Sequence, residues 1–233
     1  MRLELYQSSF RQTWDTFIKN AKNAHFLFYR DYMEYHSDRF TDHSLLFFKG
    51  DDLIAVLPAN IRESVMYSHG GLTFGGLLFS RDTRIKDVLE CFEEIKRYAI
   101  AKGINKLVYK KIPPVYCTYP SEEDVYALFL SNAVLYRRDA AFVIRKFNAI
   151  RWSDLRKRSL KKASAYHLSC HESGDYNTFY EILSEVLSSV HNVKPVHSLE
   201  EMIYLAGKFP ENIKLIASYK DGVMLSGAWL FIN

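Results

Sequence analysis

The stretch YSHGGLTFGGLLFS, residues 67–80, holds four of the chain's ten glycines. Glycine loses more backbone freedom on folding than any other residue, so such density marks a chain that must bend or approach something closely. How the surrounding sequence folds depends on whether this is a phosphate cradle, the rim of a site or a bend between strands. A Walker loop requires GxxxxGK followed by Ser or Thr, but Leu77 stands after Gly76 where the lysine belongs. A dinucleotide fingerprint requires GxGxxG running into a helix, and neither spacing nor context fits. The flanks are rich in strand formers, so the stretch reads as strand, turn and strand. Its glycines would let the backbone lie against another strand or a ligand. From these residues alone, a structural bend and a site rim both stand.

Working outward, SLLFFK (44–49) and LIAVLPANI (53–61) flank Gly50-Asp51-Asp52 and predict a β-hairpin. Upstream, Arg2 to Tyr6 reads as a strand. Trp14, Phe17 and Ile18 form the apolar stripe of a helix, and Arg30 to His36 is a second helical stretch. Downstream, Asp82 to Gly103 predicts a helix capped by Asp82 or Thr83 and ended by Gly103, with Ile85, Val88, Leu89, Phe92, Ile95 and Ala99 on its apolar face. NKLVYKKI (105–112) follows as a buried strand. Pro113, Pro114 and Pro120 impose an extended loop, and Ser121 with Asp124 opens a helix to about Leu130. AVLYRRDAAFVIRKF (133–147) alternates imperfectly and reads as one bent strand or two short ones.

After Asn148 the order of elements restarts, dividing the chain into residues 1–148 and 149–233. A basic helix carries Trp152, Leu155, Ser159 and Ala163 along one side. Then come a strand (Tyr166 to His171), a long helix (Tyr176 to Val190) and a shorter one (Leu199 to Gly207), for which Ser198 and Glu201 supply a capping box. Asp221-Gly222 between two apolar runs signals a hairpin. The fold class that emerges is a duplicated α+β architecture, each half helices followed by a hairpin. The last strand, GAWLFIN, has an uncovered edge, which calls for a partner such as a second copy of the chain, or for a longer parent domain cut short.

Composition narrows the function classes. At 233 residues and 48% hydrophobic the chain buries a real core, which excludes a disordered tail. No apolar run is long enough to cross a bilayer, and MRLELYQSSFRQTW lacks a secretory layout, so a soluble cytoplasmic protein is expected. Cys91, Cys117 and Cys170 are scattered and odd in number, against a disulfide framework or a zinc site; no metal is expected. Net charge is only +4, yet Arg151, Arg156, Lys157, Arg158, Lys161 and Lys162 face a single acid, Asp154. Such a cluster attracts phosphates or forms a solvated helix face. His191, Lys194 and His197 share the segment HNVKPVHSLEE, where a histidine can serve as general base near neutral pH. No GxSxG elbow is present.

Four phrases occur in order: HFLFYRDYMEYHSDRFTDHSLLFF, LIAVLPANI, SHGGLTFGGLL and VKPVHSLEEMIYLAGKFPENIKL. Together they resemble the FemAB-like branch of the GNAT acyltransferase superfamily, over nearly the whole chain. The resemblance implies tandem GNAT-like domains, each a mixed, mostly antiparallel sheet flanked by helices and the second incomplete. Such domains transfer an acyl or aminoacyl group to an amine of a cell-wall or polysaccharide precursor. The implied donor is acyl-CoA (acetyl-CoA) or aminoacyl-tRNA, and the implied acceptor is a small-molecule amine, nucleotide- or lipid-linked. Ser68, His69, Gly70, Gly71, Lys194 and His197 are the residues expected to line the cleft between the halves. Arg156, Lys157, Arg158, Lys161 and Lys162 would meet phosphates of the acceptor, CoA or tRNA. The GNAT pyrophosphate loop, Gln/Arg-x-x-Gly-x-Gly/Ala, does not occur. The competing expectation is a non-catalytic GNAT-like fragment that acts as a binding or assembly module.

Overall fold

The hairpin expected from residues 44–61 forms, but its second arm breaks at Pro58, which cannot donate to a ladder. Leu45–Lys49 pairs antiparallel with Asp52–Leu57, and beyond the proline Asn60–Arg62 joins a different sheet. The computed structural model describes residues 1–144 and 151–233. These divide into two compact units, residues 1–134 with Asn233 and residues 135–232. The boundary expected between residues 148 and 149 lies outside the described residues.

Unit 1 contains, in order, β1 (Arg2–Leu5), α1 (Arg11–Asn20), α2 (Arg30–Glu34), β2 (Thr41–Asp42), β3 (Leu45–Lys49), β4 (Asp52–Leu57), β5 (Asn60–Arg62), β6 (Val65–Tyr67), β7 (Leu78–Phe79), α3 (Ile85–Ala101), β8 (Lys106–Val108) and α4 (Glu123–Leu130). One sheet has the order β1-β3-β4-β7 and is antiparallel throughout. The other has the order β2-β5-β6-β8, with a single parallel pair, β6 and β8. The 3.6-residue stripe of α3 lays Val88, Cys91, Phe92 and Ile95 onto Leu45, Phe47, Ala55 and Leu57 of the first sheet. Burial pushes the Cys91 thiol up to about 12, so it is packing rather than a nucleophile.

Three local expectations for unit 1 need correction. Helix α3 starts at Ile85 with Arg84, not Asp82 or Thr83, at its N-cap, and Asp87 Oδ2 accepts from the Arg84 amide (3.2 Å). Thr83 is committed elsewhere, its hydroxyl donating to the Ile54 carbonyl (2.8 Å). Helix α4 starts at Glu123 without a Ser121–Asp124 box, because Asp124 accepts the Tyr109 phenol (2.8 Å). The strand expected over 133–147 is irregular and mostly exposed through residue 144, and none of the described strands pairs with it; its last three residues lie outside the described ones.

Unit 2 contains α5 (Asp154–Ser164), β9 (Ser169–Glu172), α6 (Tyr176–His191), α7 (Leu199–Lys208), β10 (Ile213–Lys220) and β11 (Val223–Phe231). The strands form an antiparallel sheet in the order β11-β10-β9. Asp221 and Gly222 both have positive φ (52° and 81°), the geometry of a type I′ turn that Asp-Gly accommodates. Phe179, Met202, Leu215, Ala217 and Met224 form the core where α6 and α7 meet one face of this sheet. The Ser198 hydroxyl accepts from the Glu201 amide, and the Glu201 carboxylate accepts from the Ser198 amide, completing the expected box. The molecule is thus an α+β protein with mixed, mostly antiparallel sheets and, among the described residues, seven α-helices. No described helix is long and apolar enough to cross a membrane.

Candidate functional site

The glycine stretch does not close a hairpin. It carries the chain from β6 in one sheet to β7 in the other. On the way its backbone runs beside the continuation of β8. The Ser68 amide donates to the Val108 carbonyl (2.9 Å), the Lys110 amide to Ser68 Oγ (2.6 Å), and the Gly75 amide to the Lys110 carbonyl (3.2 Å). The Gly70 amide donates to Asn60 Oδ1 (2.6 Å), and Lys110 Nζ donates to the Gly70 (3.4 Å) and Leu72 carbonyls. At the exit Asn23 brackets β7, donating to the Leu77 carbonyl and accepting from the Phe79 amide, each at 2.9 Å.

Three of the glycines are required by close approach. A Cβ on Gly76, at φ 97°, would meet the Tyr109 hydroxyl at 2.8 Å. A Cβ on Gly71 would strike the His36 ring, with Cδ2 at 2.6 Å. A Cβ on Gly75 would land on the Ser68 carbonyl, with its carbon at 2.9 Å. What lies against these glycines is protein. Ser68 and His69 are buried, Gly70 is exposed and Gly71 half-buried.

His69 sits at φ 56° with its ring beside His36 and Phe40, centroids 5.2 and 5.6 Å away. Its Nδ1 is buried without a hydrogen-bond partner. Burial lowers its pKa to about 3; His36, Lys110 and Arg30 push the same way and Asp42 opposes. This histidine is neutral at physiological pH.

Tyr109, which the sequence reading passed over, is the bolt of the loop. Its hydroxyl accepts from the Leu77 amide (2.7 Å) and donates to Asp124 Oδ2 (2.8 Å). Burial, then the Asp124 charge, raises the phenol well above its ordinary value, and burial likewise raises Asp124. Tyr109→Phe leaves a buried amide and a buried carboxyl short of a partner, and is expected to cost about 2 kcal/mol in a urea titration. Only an alternation hint in NKLVYKKI could have marked this residue, because its partners lie 32 and 15 residues away.

In unit 2, Lys194 is exposed and borders a shallow open groove of about 400 Å³ with Tyr180, Ser184, Glu185, Ser188, Val193 and Pro195. His197 does not line that groove. It is half-buried, its Nδ1 3.8 Å from Glu201 Oε2 and its ring edge-on to Trp229 at 5.3 Å. The Trp229 indole N–H is buried without a hydrogen-bond partner. Arg156, Lys157, Arg158, Lys161 and Lys162 all lie exposed on α5. Of these, Lys162 borders a second open groove, of about 480 Å³, with Ser159, Ala163, Tyr166, Leu168, Lys220 and Leu225. Among the described residues no three His, Cys, Asp or Glu side chains are grouped as metal ligands.

The fold these elements build is FemX-like. The solved structure titled "Crystal structure of FemX" superposes with a TM-score of 0.56 over 95% of this chain, at 11% identity. The match covers 58% of the FemX chain, so this chain spans under two thirds of that protein's length. No family model matches the sequence, and no curated protein does.

Proposed function

We propose that the chain is an acyltransferase or aminoacyltransferase of the GNAT/FemAB type. It would transfer an acyl group from acyl-CoA or aminoacyl-tRNA to an amine of a cell-wall or polysaccharide precursor. The observation that carries this reading is the FemX-like fold along 95% of the chain. The ordered phrases from residue 25 to residue 215 support it.

In this chemistry the acceptor nitrogen attacks the donor carbonyl. A C–N bond forms, the C–S or C–O bond to CoA or tRNA breaks, and the ammonium proton leaves through a base or water. Such a reaction depends on positioning and on backbone donors for the oxyanion more than on a nucleophilic side chain. That accords with a chain whose motifs offer no sharp nucleophile. His197 is assigned as the base and Lys194 as an electrostatic contact. Gly70 and Gly71, the less buried members of the loop, offer backbone on unit 1, while Ser68 and His69 hold that loop from inside.

The donor question is settled by calorimetry with acetyl-CoA and, separately, with charged tRNA. Heat is expected with one of them, and His197→Ala is expected to slow transfer about 100-fold or more, as loss of a general base does. A second reading, a non-catalytic binding module, is favoured by the enclosure of Ser68 and His69. It becomes the correct one if neither donor gives heat.

A further inference from the structure

Helix α5 buries none of its residues. With 3.6 residues per turn, Lys157 and Lys161, and Arg158 and Lys162, line one side at i and i+4. Leu155, Ser159 and Ala163 form the neighbouring strip, with Lys162 at its border. Leu155 is 70% exposed, Leu160 56% and Trp152, just before the Ser153 cap, 46%. Upstream in the same unit Leu135, Tyr136, Phe142 and Ile144 are also exposed, next to Arg137 and Arg138. The groove under α5 has a mostly apolar floor of Ala163, Tyr166, Leu168 and Leu225, with Lys162 and Lys220 among its lining residues. Lys220 Nζ lies 5.7 Å from the Tyr166 ring.

We infer that α5 and its groove dock unit 2 onto an anionic phospholipid surface. Charge complementarity selects the partner. Five cationic side chains on α5 face one acid, Asp154, and anionic headgroups attract each lysine or arginine near the surface. The exposed apolar residues then select lipid over nucleic acid. Phosphates of an RNA would satisfy the cations, and a base could stack on Trp152. Neither gives Leu155 or Leu160 anything, whereas an interfacial helix sinks such residues and a tryptophan to the headgroup–acyl boundary. The groove extends the match, with lysine ammonium groups for a lipid phosphate and apolar side chains for the top of an acyl chain.

The test is co-sedimentation of the full chain with vesicles of phosphatidylglycerol and phosphatidylcholine, against vesicles of phosphatidylcholine alone. Binding is expected only to the anionic vesicles, weakening as salt rises. It is accompanied by a blue shift of tryptophan emission that Trp152→Phe removes. Leu155→Gln with Leu160→Gln should weaken partition about tenfold or more, since about 1.4 kcal/mol of lost apolar insertion gives that factor. These side chains are exposed, so circular dichroism should be unchanged; the Trp152 shift and the salt titration read the same proposal without that variant. No sedimentation with anionic vesicles would overturn the proposal. So would partition that ignores the leucine variant, or capture of an RNA hairpin in place of vesicles. Vesicle binding needs no acyl donor, so its outcome is independent of the transferase reading.

Discussion

Gly75→Ala is expected to destabilise unit 1 by about 3 kcal/mol or more. The added methyl would sit on the Ser68 carbonyl oxygen, with the carbonyl carbon at 2.9 Å and Ser68 Oγ at 3.4 Å. Neither side can give way cheaply. The Ser68 amide is held by the Val108 carbonyl, its hydroxyl by the Lys110 amide, and the Gly75 amide by the Lys110 carbonyl. Relief would break at least one buried hydrogen bond and displace the chain where it crosses from one sheet to the other. Gly174→Ala is the control, since nothing lies within 4 Å of its Cβ position, and a change within about 0.5 kcal/mol is expected there. Urea unfolding followed through Trp14, fully buried in unit 1, reads Gly75→Ala, and Trp229, in unit 2 with Gly174, reads the control. A loss below about 1 kcal/mol for Gly75→Ala would show that the loop is not held as described.

The second large effect is acid lability. Burial lowers His25 to about 4 and His69 to about 3, from an unfolded value of 6.5. A depressed folded pKa means that the unfolded chain takes up the proton first. Stability is therefore full above pH 6.5 and is lost as pH falls from 6.5 toward 4 and 3. Each proton contributes a slope of about 1.4 kcal/mol per pH unit, so two give about 2.7. Between pH 7.5 and 5 the loss is expected to be about 2–4 kcal/mol. His43, also lowered by burial, adds in the same sense. Asp15 and Asp124, raised by burial, act in the opposite sense, but only near carboxylate pH; the window from 6.5 to 5 reports the histidines. His69→Asn, which tolerates positive φ, should remove about half of the slope. Stability that stays flat from pH 7.5 to 5 would contradict the burial of these rings in neutral form.

Signals contained within a few residues were legible in the sequence. The stripe Trp14, Phe17 and Ile18, the Ser198–Glu201 box and the Asp221-Gly222 turn each act over one helical turn or one hairpin, and each stands where it was expected. The α+β class followed from them. Expectations that turn on a distant partner fail. Asp124 looked like half of a capping box until Tyr109 claimed it, and Thr83 looked like a cap until the Ile54 carbonyl did. Residues 78–79 pair with β4, in a different sheet from residues 65–67, because Pro58 and the glycine loop hand the chain across. The glycines were visible as a place where the backbone approaches something closely. That the something is His36, Ser68 and Tyr109 is long-range information, carried by no motif. In the same way Ser68 and His69 stood out by type, and only the packing shows that their side chains point inward.

The most direct test of the central claim is a transfer assay on the full chain. It supplies acetyl-CoA or aminoacyl-tRNA with an amine-bearing peptidoglycan precursor or amino sugar, and the products are read by mass spectrometry. An acyltransferase yields an acceptor heavier by one amide-linked acyl or aminoacyl group, only when the chain is present and with a lower yield for His197→Ala. Both donors returned intact, with no amide product and no donor heat in calorimetry, would contradict it.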